Sequence, residues 1–311
     1  MIATQAACLA LALLLDALLG EPDALWRRIP HPAVLMGRAV AGLDRRWNRG
    51  TARRARGIAA LAVLAGGAAG LGAVIEALPG GTLWSVLLAA VLLAQKSLCQ
   101  HVAAVADALD RGLPEGRRAV AMIVGRDTRE MDGPAIARGA IESAAENLSD
   151  GIVAPAFWYL LLGLPGILAY KAVNTADSMI GYRTERHAAF GWAAARFDDL
   201  VNLVPARLTA GLIVILWRLW PRLGPILAEA RRHRSPNAGW PEAAAARALG
   251  VALSGPRSYE GRMRDYPFVN PGGRHAIGAA EIRASVALLW RVWAALLGLV
   301  LLIAAIALAI A

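Results

Sequence analysis

Six runs of apolar residues, at about 3 to 19, 58 to 78, 82 to 95, 152 to 170, 203 to 220 and 284 to 310, dominate the sequence. A helix needs roughly 20 such residues to cross the hydrocarbon core of a bilayer. Backbone at that depth must satisfy its own polar groups, so the runs are expected to form helices. The expected fold is all-α: a polytopic membrane helical bundle with about four to six inserted segments and polar helices on the cytoplasmic side. At 311 residues, 57% hydrophobic and with a mean hydropathy of +0.47, the chain is too apolar for an ordinary soluble domain. Neither an internal repeat nor a long linker divides it, and 1 to 311 reads as one membrane-embedded domain.

The third run is short, and a helical stretch at 97 to 109 extends it. Pro79-Gly80-Gly81 makes a tight turn that pairs the second and third runs as a hairpin. The first run has no basic leader and no A-x-A site, and Asp16 interrupts it, so it reads as a retained helix. Cys8 and Cys99 lack any C-x-x-C or histidine partner, which argues against both a disulfide framework and a zinc site.

The net charge of +10 comes mostly from arginines next to apolar runs. Between Trp26 and Arg56, nine arginines face Asp44 as the only acid, which marks that loop as cytoplasmic. Counting onward puts 79 to 81 outside and 96 to 150 inside, and the Arg-rich stretch 222 to 283 also belongs inside. Positive-inside placement accounts for the basic residues, and nucleic acid is not an expected partner. The nearly neutral stretch 171 to 202 would fall outside if both flanking runs crossed fully. Gly163, Pro165 and Gly166 interrupt one of these runs, and Pro205 and Arg207 the other. Such irregularity is tolerated at membrane depth only against protein or a wet cavity, so partial insertion is expected for both.

Polar residues collect between the runs. Asp132-Gly133-Pro134 is a helix start, and the helix it begins, about 133 to 149, carries Arg138, Glu142, Glu146 and Asp150 at steps of four. By itself this stripe could be a solvated face. Lys171, Asn174, Asp177, Ser178 and Gly181 fall within one narrow arc of the next helix, directly after an apolar run, where ionisable groups are costly and usually functional. Asp198-Asp199 follows, with Asn202 on the same face and Pro205-Ala206-Arg207 beyond it. Carboxylates beside an amide suit a hard Mg²⁺ that shares its shell with phosphate oxygens, while Lys and Arg neutralise the remaining charge. A turn from Ser235 to Glu242 leads into an Ala-rich helix, and His31-Pro32 either contributes a base or phosphate contact or is structural. The GxxxxGK[ST], HExxH and GxSxG patterns are absent, so a P-loop, zinc proteolysis and serine hydrolysis are not indicated.

Together these motifs closely resemble the CobD/CbiB family, the membrane-bound adenosylcobinamide-phosphate synthases of cobalamin biosynthesis. The resemblance rests on the run Glu142 to Gly151 (ESAAENLSDG), the run Lys171 to Tyr182 (KAVNTADSMIGY), Asp198-Asp199 through Asn202 to Arg207, and Ser235 to Glu242. His31-Pro32 and Gly125-Arg126-Asp127-Thr128 also fit it. It implies ATP-dependent amide formation, through an acyl phosphate, between a propionate carboxylate of adenosylcobyric acid and (R)-1-amino-2-propanol or its O-phosphate.

On that resemblance Glu142, Glu146, Asp150, Lys171, Asp177, Asp198 and Asp199 are the expected catalytic residues, with Mg²⁺ on Glu146, Asp150, Asp177 and Asp198. Substrate contacts are expected from His31, Arg126, Asp127, Asn147, Asn174, Ser178, Arg183, Asn202, Arg207, Ser235, Asn237 and Glu242. Lys171, Arg183 and Arg207 are the groups expected on phosphate or corrin carboxylates, with ATP as co-substrate. The expected setting is the cytoplasmic membrane with the site facing the cytoplasm. The expected partners are the lipid bilayer and either a second copy or other cobalamin-assembly membrane proteins. Two alternatives stay open: a Mg²⁺-dependent transferase of prenyl or CDP-alcohol type, and a non-catalytic transporter or assembly subunit. The first expects aspartates repeated within one segment, which Asn174 and Asp177 do not supply. The second would not couple ATP to amide formation.

Overall fold

The computed structural model describes residues 2–21, 26–259 and 261–310. The protein is all-α apart from two small hairpin-like ladders. The helices are α1 (Ile2–Leu19), α2 (Pro32–Trp47), α3 (Arg53–Ala77), α4 (Gly81–Leu92), α5 (Gln95–Arg111), α6 (Leu113–Val120) and α7 (Gly133–Leu148). After a π turn (Ser149–Val153) come α8 (Ala154–Ile180), α9 (Trp192–Val201), α10 (Leu203–Leu216), α11 (Leu223–Arg232), α12 (Gly239–Leu249) and α13 (Ala279–Ile310). Among the described residues five helical stretches are long and apolar enough to cross a membrane, or six if α9 and α10 form one broken span. All six apolar runs are therefore helical, and the 152 to 170 run continues to Ile180 as α8.

The chain divides into two compact units, one of residues 1–94, 150–203 and 297–311, the other of residues 95–149 and 204–296. In the first unit α8 is the central element, packed on α1, α2, α3, α4 and α9. Small residues let α3 approach closely, as is usual where helices associate in lipid. A Cβ at Gly72 would lie 2.6 Å from the Pro165 nitrogen, and one at Gly57 would lie 2.0 Å from the Phe190 carbonyl oxygen. Val40, Ala60, Ala176, Ile180, Phe190 and Ala194 close the core where α2, α3, α8 and α9 meet.

Within α8 the backbone breaks at Gly163 (φ 66°, ψ −152°), two residues before Pro165, which has no N–H to donate. The positive φ requires glycine. The break frees backbone groups inside an apolar layer, and polar side chains from other helices meet them. Glu76 Oε1 accepts from the Leu164 N–H at 2.8 Å and from Ser85 Oγ at 3.0 Å, and Ser85 Oγ lies 2.8 Å from the Tyr159 hydroxyl. The Gln5 amide, oriented with its nitrogen toward the Leu160 carbonyl (3.2 Å), accepts from the Gly163 N–H at 3.1 Å. The second half of α8, which carries the polar arc, thus begins on a carboxylate cap.

In the second unit, Asp132 caps α7 by accepting from the Ala135 N–H at 2.7 Å, as the Asp-Gly-Pro start predicts. Gly250 (φ 66°) ends α12 in the left-handed conformation. The segment after it, which the sequence suggests only as an arginine-rich loop, contains short antiparallel ladders. Leu253–Ser254 (β1) pairs with Phe268–Val269 (β4), and Arg257–Tyr259 (β2) with Arg262–Arg264 (β3). A half-buried ion pair supports this region: Arg247 donates to both oxygens of Glu229 at 2.6 and 2.8 Å, and Glu229 also accepts from the Asn270 N–H.

We expect Glu76→Leu to cost about 1–3 kcal/mol, the price of leaving a buried N–H unsatisfied, read as a lower thermal midpoint in detergent. Gly67→Ala, where an added Cβ meets nothing within 4 Å, should not lower the midpoint. A wild-type midpoint for Glu76→Leu would show that the carboxylate does not support the break.

Candidate functional site

The residues singled out by sequence fall into two sets, one within each unit. In the first unit, the polar arc of α8 meets the acidic face of α9. Asn174 Nδ2 donates to Asp198 Oδ1 at 3.2 Å, and Asn202 Nδ2 donates to Asp198 Oδ2 at 3.1 Å, so both oxygens of this buried carboxylate accept from amides. Tyr170 donates to Asn202 Oδ1 at 2.9 Å and approaches the Asp150 carbonyl at 3.0 Å, which ties the π turn to the same cluster. Asp177 lies within electrostatic range of Asp198 and Asp199, so three carboxylates repel one another in a confined space. Arg183 and Arg196 lie on the Asp199 side, and Lys171 lies within range of the Asp150 and Glu21 carboxylates. Gly191 is required here: a Cβ on it would lie 1.6 Å from the Ile180 carbonyl oxygen, so the end of α8 and the start of α9 meet backbone to backbone. Ser178 is exposed.

His31 caps α2, its Nδ1 accepting from the Ala33 N–H at 3.1 Å. Burial pushes the imidazole below its usual pKa, which keeps it neutral near pH 7. Asp44, the lone acid of the arginine-rich loop, is half of a latch. Arg186 donates to its Oδ2 from Nε (3.2 Å) and Nη2 (2.5 Å), and Asn48 donates to its Oδ1 at 2.7 Å. Burial would raise this carboxyl, but these donors outweigh it and hold the pKa below the ordinary value.

The second unit holds Glu142, buried on α7, between two guanidiniums. Arg126 Nη2 and Arg257 Nη1 reach its Oε2 at 2.7 and 2.8 Å, and Oε1 accepts from the Ser254 N–H at 2.8 Å. Arg257 lies far from Glu142 in sequence, and no spacing rule points to it. Asp127 accepts from Ser258 Oγ and the Gly261 N–H, both at 2.7 Å. Glu146 and Asn147 lie exposed on α7, with Asn147 turned back onto the Ser143 carbonyl at 2.9 Å. Glu242 is buried at the start of α12, with His233 Nε2 3.5 Å from its Oε2. Burial first, and then the Glu142 charge, push the Glu242 carboxyl well above its ordinary pKa, while burial lowers that of His233; each change favours the uncharged form. Ser235 Oγ accepts from the Asn237 and Ala238 N–H groups, and Arg207 reaches Asn237 Oδ1 at 3.2 Å while stacking 4.5 Å over Trp240.

Of the expected metal ligands, Asp150, Asp177 and Asp198 belong to the first unit and Glu146 to the second. Among the described residues no three His, Cys, Asp or Glu side chains are grouped as a metal cage. Mg²⁺ does not need one, since it binds through one or two carboxylates together with water and substrate phosphates. The half-buried Asp177 and Asp199, beside the amide-held Asp198, are hard oxygen donors of that kind.

Residues 9–289 match the family described as CobD/CbiB protein. Proteins named Cobalamin biosynthesis protein CobD are similar over nearly the whole chain. That of Rhizobium meliloti (strain 1021) is 50% identical, covering 89% of this chain and 90% of its own length. That of Rhodobacter capsulatus is 52% identical, covering 85% and 87%. A Sinorhizobium relative is 48% identical over 96% and 98%. No solved structure matches.

The raised Glu242 carboxyl has a definite pH signature. An acid whose folded pKa lies above its unfolded value stabilises the fold below about pH 4.5, and that contribution is lost as pH rises through the folded pKa. We expect Glu242→Gln to flatten this fall, by up to about 1.4 kcal/mol per pH unit. Unfolding midpoints of the two proteins between pH 4 and pH 8 would check it; parallel curves would contradict it.

Proposed function

The chain belongs to the CobD/CbiB family, and on that premise we propose that it is an ATP-dependent amide-forming ligase of cobalamin biosynthesis. In this reading it joins (R)-1-amino-2-propanol, or its O-phosphate, to a propionate carboxylate of adenosylcobyric acid. The observation that carries the reading is the acid and amide set at the end of α8 and on α9. There Asp198 is held by Asn174 and Asn202, with Asp177 and Asp199 alongside. Buried or half-buried acids next to a membrane-spanning helix are costly, and a reaction that binds phosphate and ammonium groups gives them a role.

A carboxylate does not react with an amine until its oxygen becomes a leaving group. One carboxylate oxygen takes the terminal phosphoryl group of ATP, and ADP leaves. The amine nitrogen then attacks the acyl carbon and loses a proton, and phosphate departs with the former carboxylate oxygen. Asp199 is suited to bind the incoming ammonium and take its proton. Lys171, with the Asp150 and Glu21 carboxylates in range, is suited to phosphate oxygens. The amides of Asn174 and Asn202 hold Asp198 in one orientation, so the set is organised before substrate arrives. Mg²⁺ on Asp177, when bound with the nucleotide phosphates, would neutralise phosphate charge. The protein is a multi-pass membrane protein, and its arginine-rich 26 to 56 segment supports placing that segment on the cytoplasmic side, where ATP is.

The test uses purified protein in detergent with adenosylcobyric acid, ATP, Mg²⁺ and each amine donor, with the corrinoid product read by mass. The expected product carries the added amino alcohol mass only when ATP is present, and Asp177→Asn should form it about 100-fold more slowly. ATP-independent product, or a wild-type rate for Asp177→Asn, would overturn the assignment.

A further inference from the structure

The second unit contains a cavity of about 450 Å³ that the proposed chemistry has not used, within the size range of small-molecule sites. Four arginines line it: Arg126 and Arg129 from the loop before α7, Arg138 from α7, and Arg257 from β2. Asp127 and Glu130 also line it, and Glu142 lies against Arg126 and Arg257. The guanidiniums therefore outnumber the carboxylates around them, and one acid is already engaged elsewhere: Asp127 accepts from Ser258 Oγ and the Gly261 N–H.

Two of the arginines are built into the protein rather than lying on its surface. The side chains of Arg126 and Arg257 are only 7% and 9% exposed, and both share the single oxygen Glu142 Oε2. One carboxylate oxygen cannot neutralise two guanidiniums. Arg257 spends its Nη2 on Ser254 Oγ at 3.1 Å and stacks 4.7 Å over the Tyr266 ring, and its buried Nε has no hydrogen-bond partner among the described residues. Guanidiniums held in a wall with too few carboxylates favour an anion in the cavity. Planar guanidinium forks in a partly enclosed wall match the geometry and charge of phosphate oxygens better than those of any neutral ligand.

We propose that this cavity is a binding site for a phosphate group, held by Arg129 and Arg138, with Glu142 fixing Arg126 and Arg257 in the wall behind them. The inference rests on the proposed ligase reaction only for which phosphate compound arrives. Two substrates of that reaction carry the chemistry, the nucleotide and the O-phosphate of the amino alcohol. The cavity is large enough for either.

The test is calorimetric titration of the purified full chain in detergent with inorganic pyrophosphate, in the absence of corrinoid and turnover. Wild type is expected to bind it, and Arg129→Gln and Arg138→Gln are each expected to weaken binding about tenfold. Arg129 is exposed, so its replacement leaves the fold intact even if the α7 change disturbs it. Competition identifies the source: displacement of pyrophosphate by ATP alone assigns the cavity to the nucleotide, and displacement by 1-amino-2-propanol O-phosphate alone assigns it to the amine donor. No binding by wild type, or affinity within twofold of wild type in the Arg129→Gln, Arg138→Gln double variant, would overturn the proposal. Pyrophosphate binding that needs these arginines in a protein making no amide would retain the cavity and discard the ligase reading. Amide formation with a KM for each phosphate substrate unchanged in the double variant would do the reverse.

Discussion

The carboxylate of Glu76, accepting from the Leu164 N–H inside an apolar helical layer, is the contact on which the first unit's polar arc depends. An uninterrupted helix through 154 to 180 would rotate Lys171, Asn174 and Asp177 by whatever its own periodicity dictates. The break at Gly163 resets that rotation, and in lipid a broken helix survives only if its freed groups find partners. Glu76, Gln5 and the Ser85–Tyr159 pair supply them. Tight glycine contacts of α3 against Pro165 and Phe190 then fix the second half of α8 near α9, where Asn174 meets Asp198.

The two units treat charge in opposite ways. The first concentrates carboxylates at the end of α8 and on α9 and tempers them with amides, a balance suited to cations and ammonium groups. The second surrounds Glu142 with guanidiniums and keeps Glu242 in a setting that favours its neutral form.

Much of this was legible in residue order because it depends on local chemistry. Asp132-Gly133-Pro134 specifies a capped helix start, Pro79-Gly80-Gly81 a turn, and the three- and four-residue spacing from Lys171 to Gly181 a single face. Asp198 and Asn202 lie one turn apart and bond as that spacing implies. Other features had no local signal. Glu76 reads as an ordinary acid at the end of an apolar run, and its partner lies on a different helix. The Arg257–Glu142 pair and the β1–β4 ladder arise from long-range contacts, inside a stretch whose arginines suggest only a cytoplasmic loop. Ser235 and His31 cap and turn the backbone, which accounts for their positions near helix starts without requiring contact with substrate.

The central claim, that the corrinoid carboxylate is activated by phosphoryl transfer before the amine attacks, is tested most directly by isotope transfer. Adenosylcobyric acid carrying ¹⁸O in its reactive propionate would be converted with ATP, Mg²⁺ and amine by the purified protein, and the released inorganic phosphate analysed by mass. The account predicts one ¹⁸O atom in each phosphate released with product. Label appearing in AMP, or retained entirely in the corrinoid and water, would contradict it.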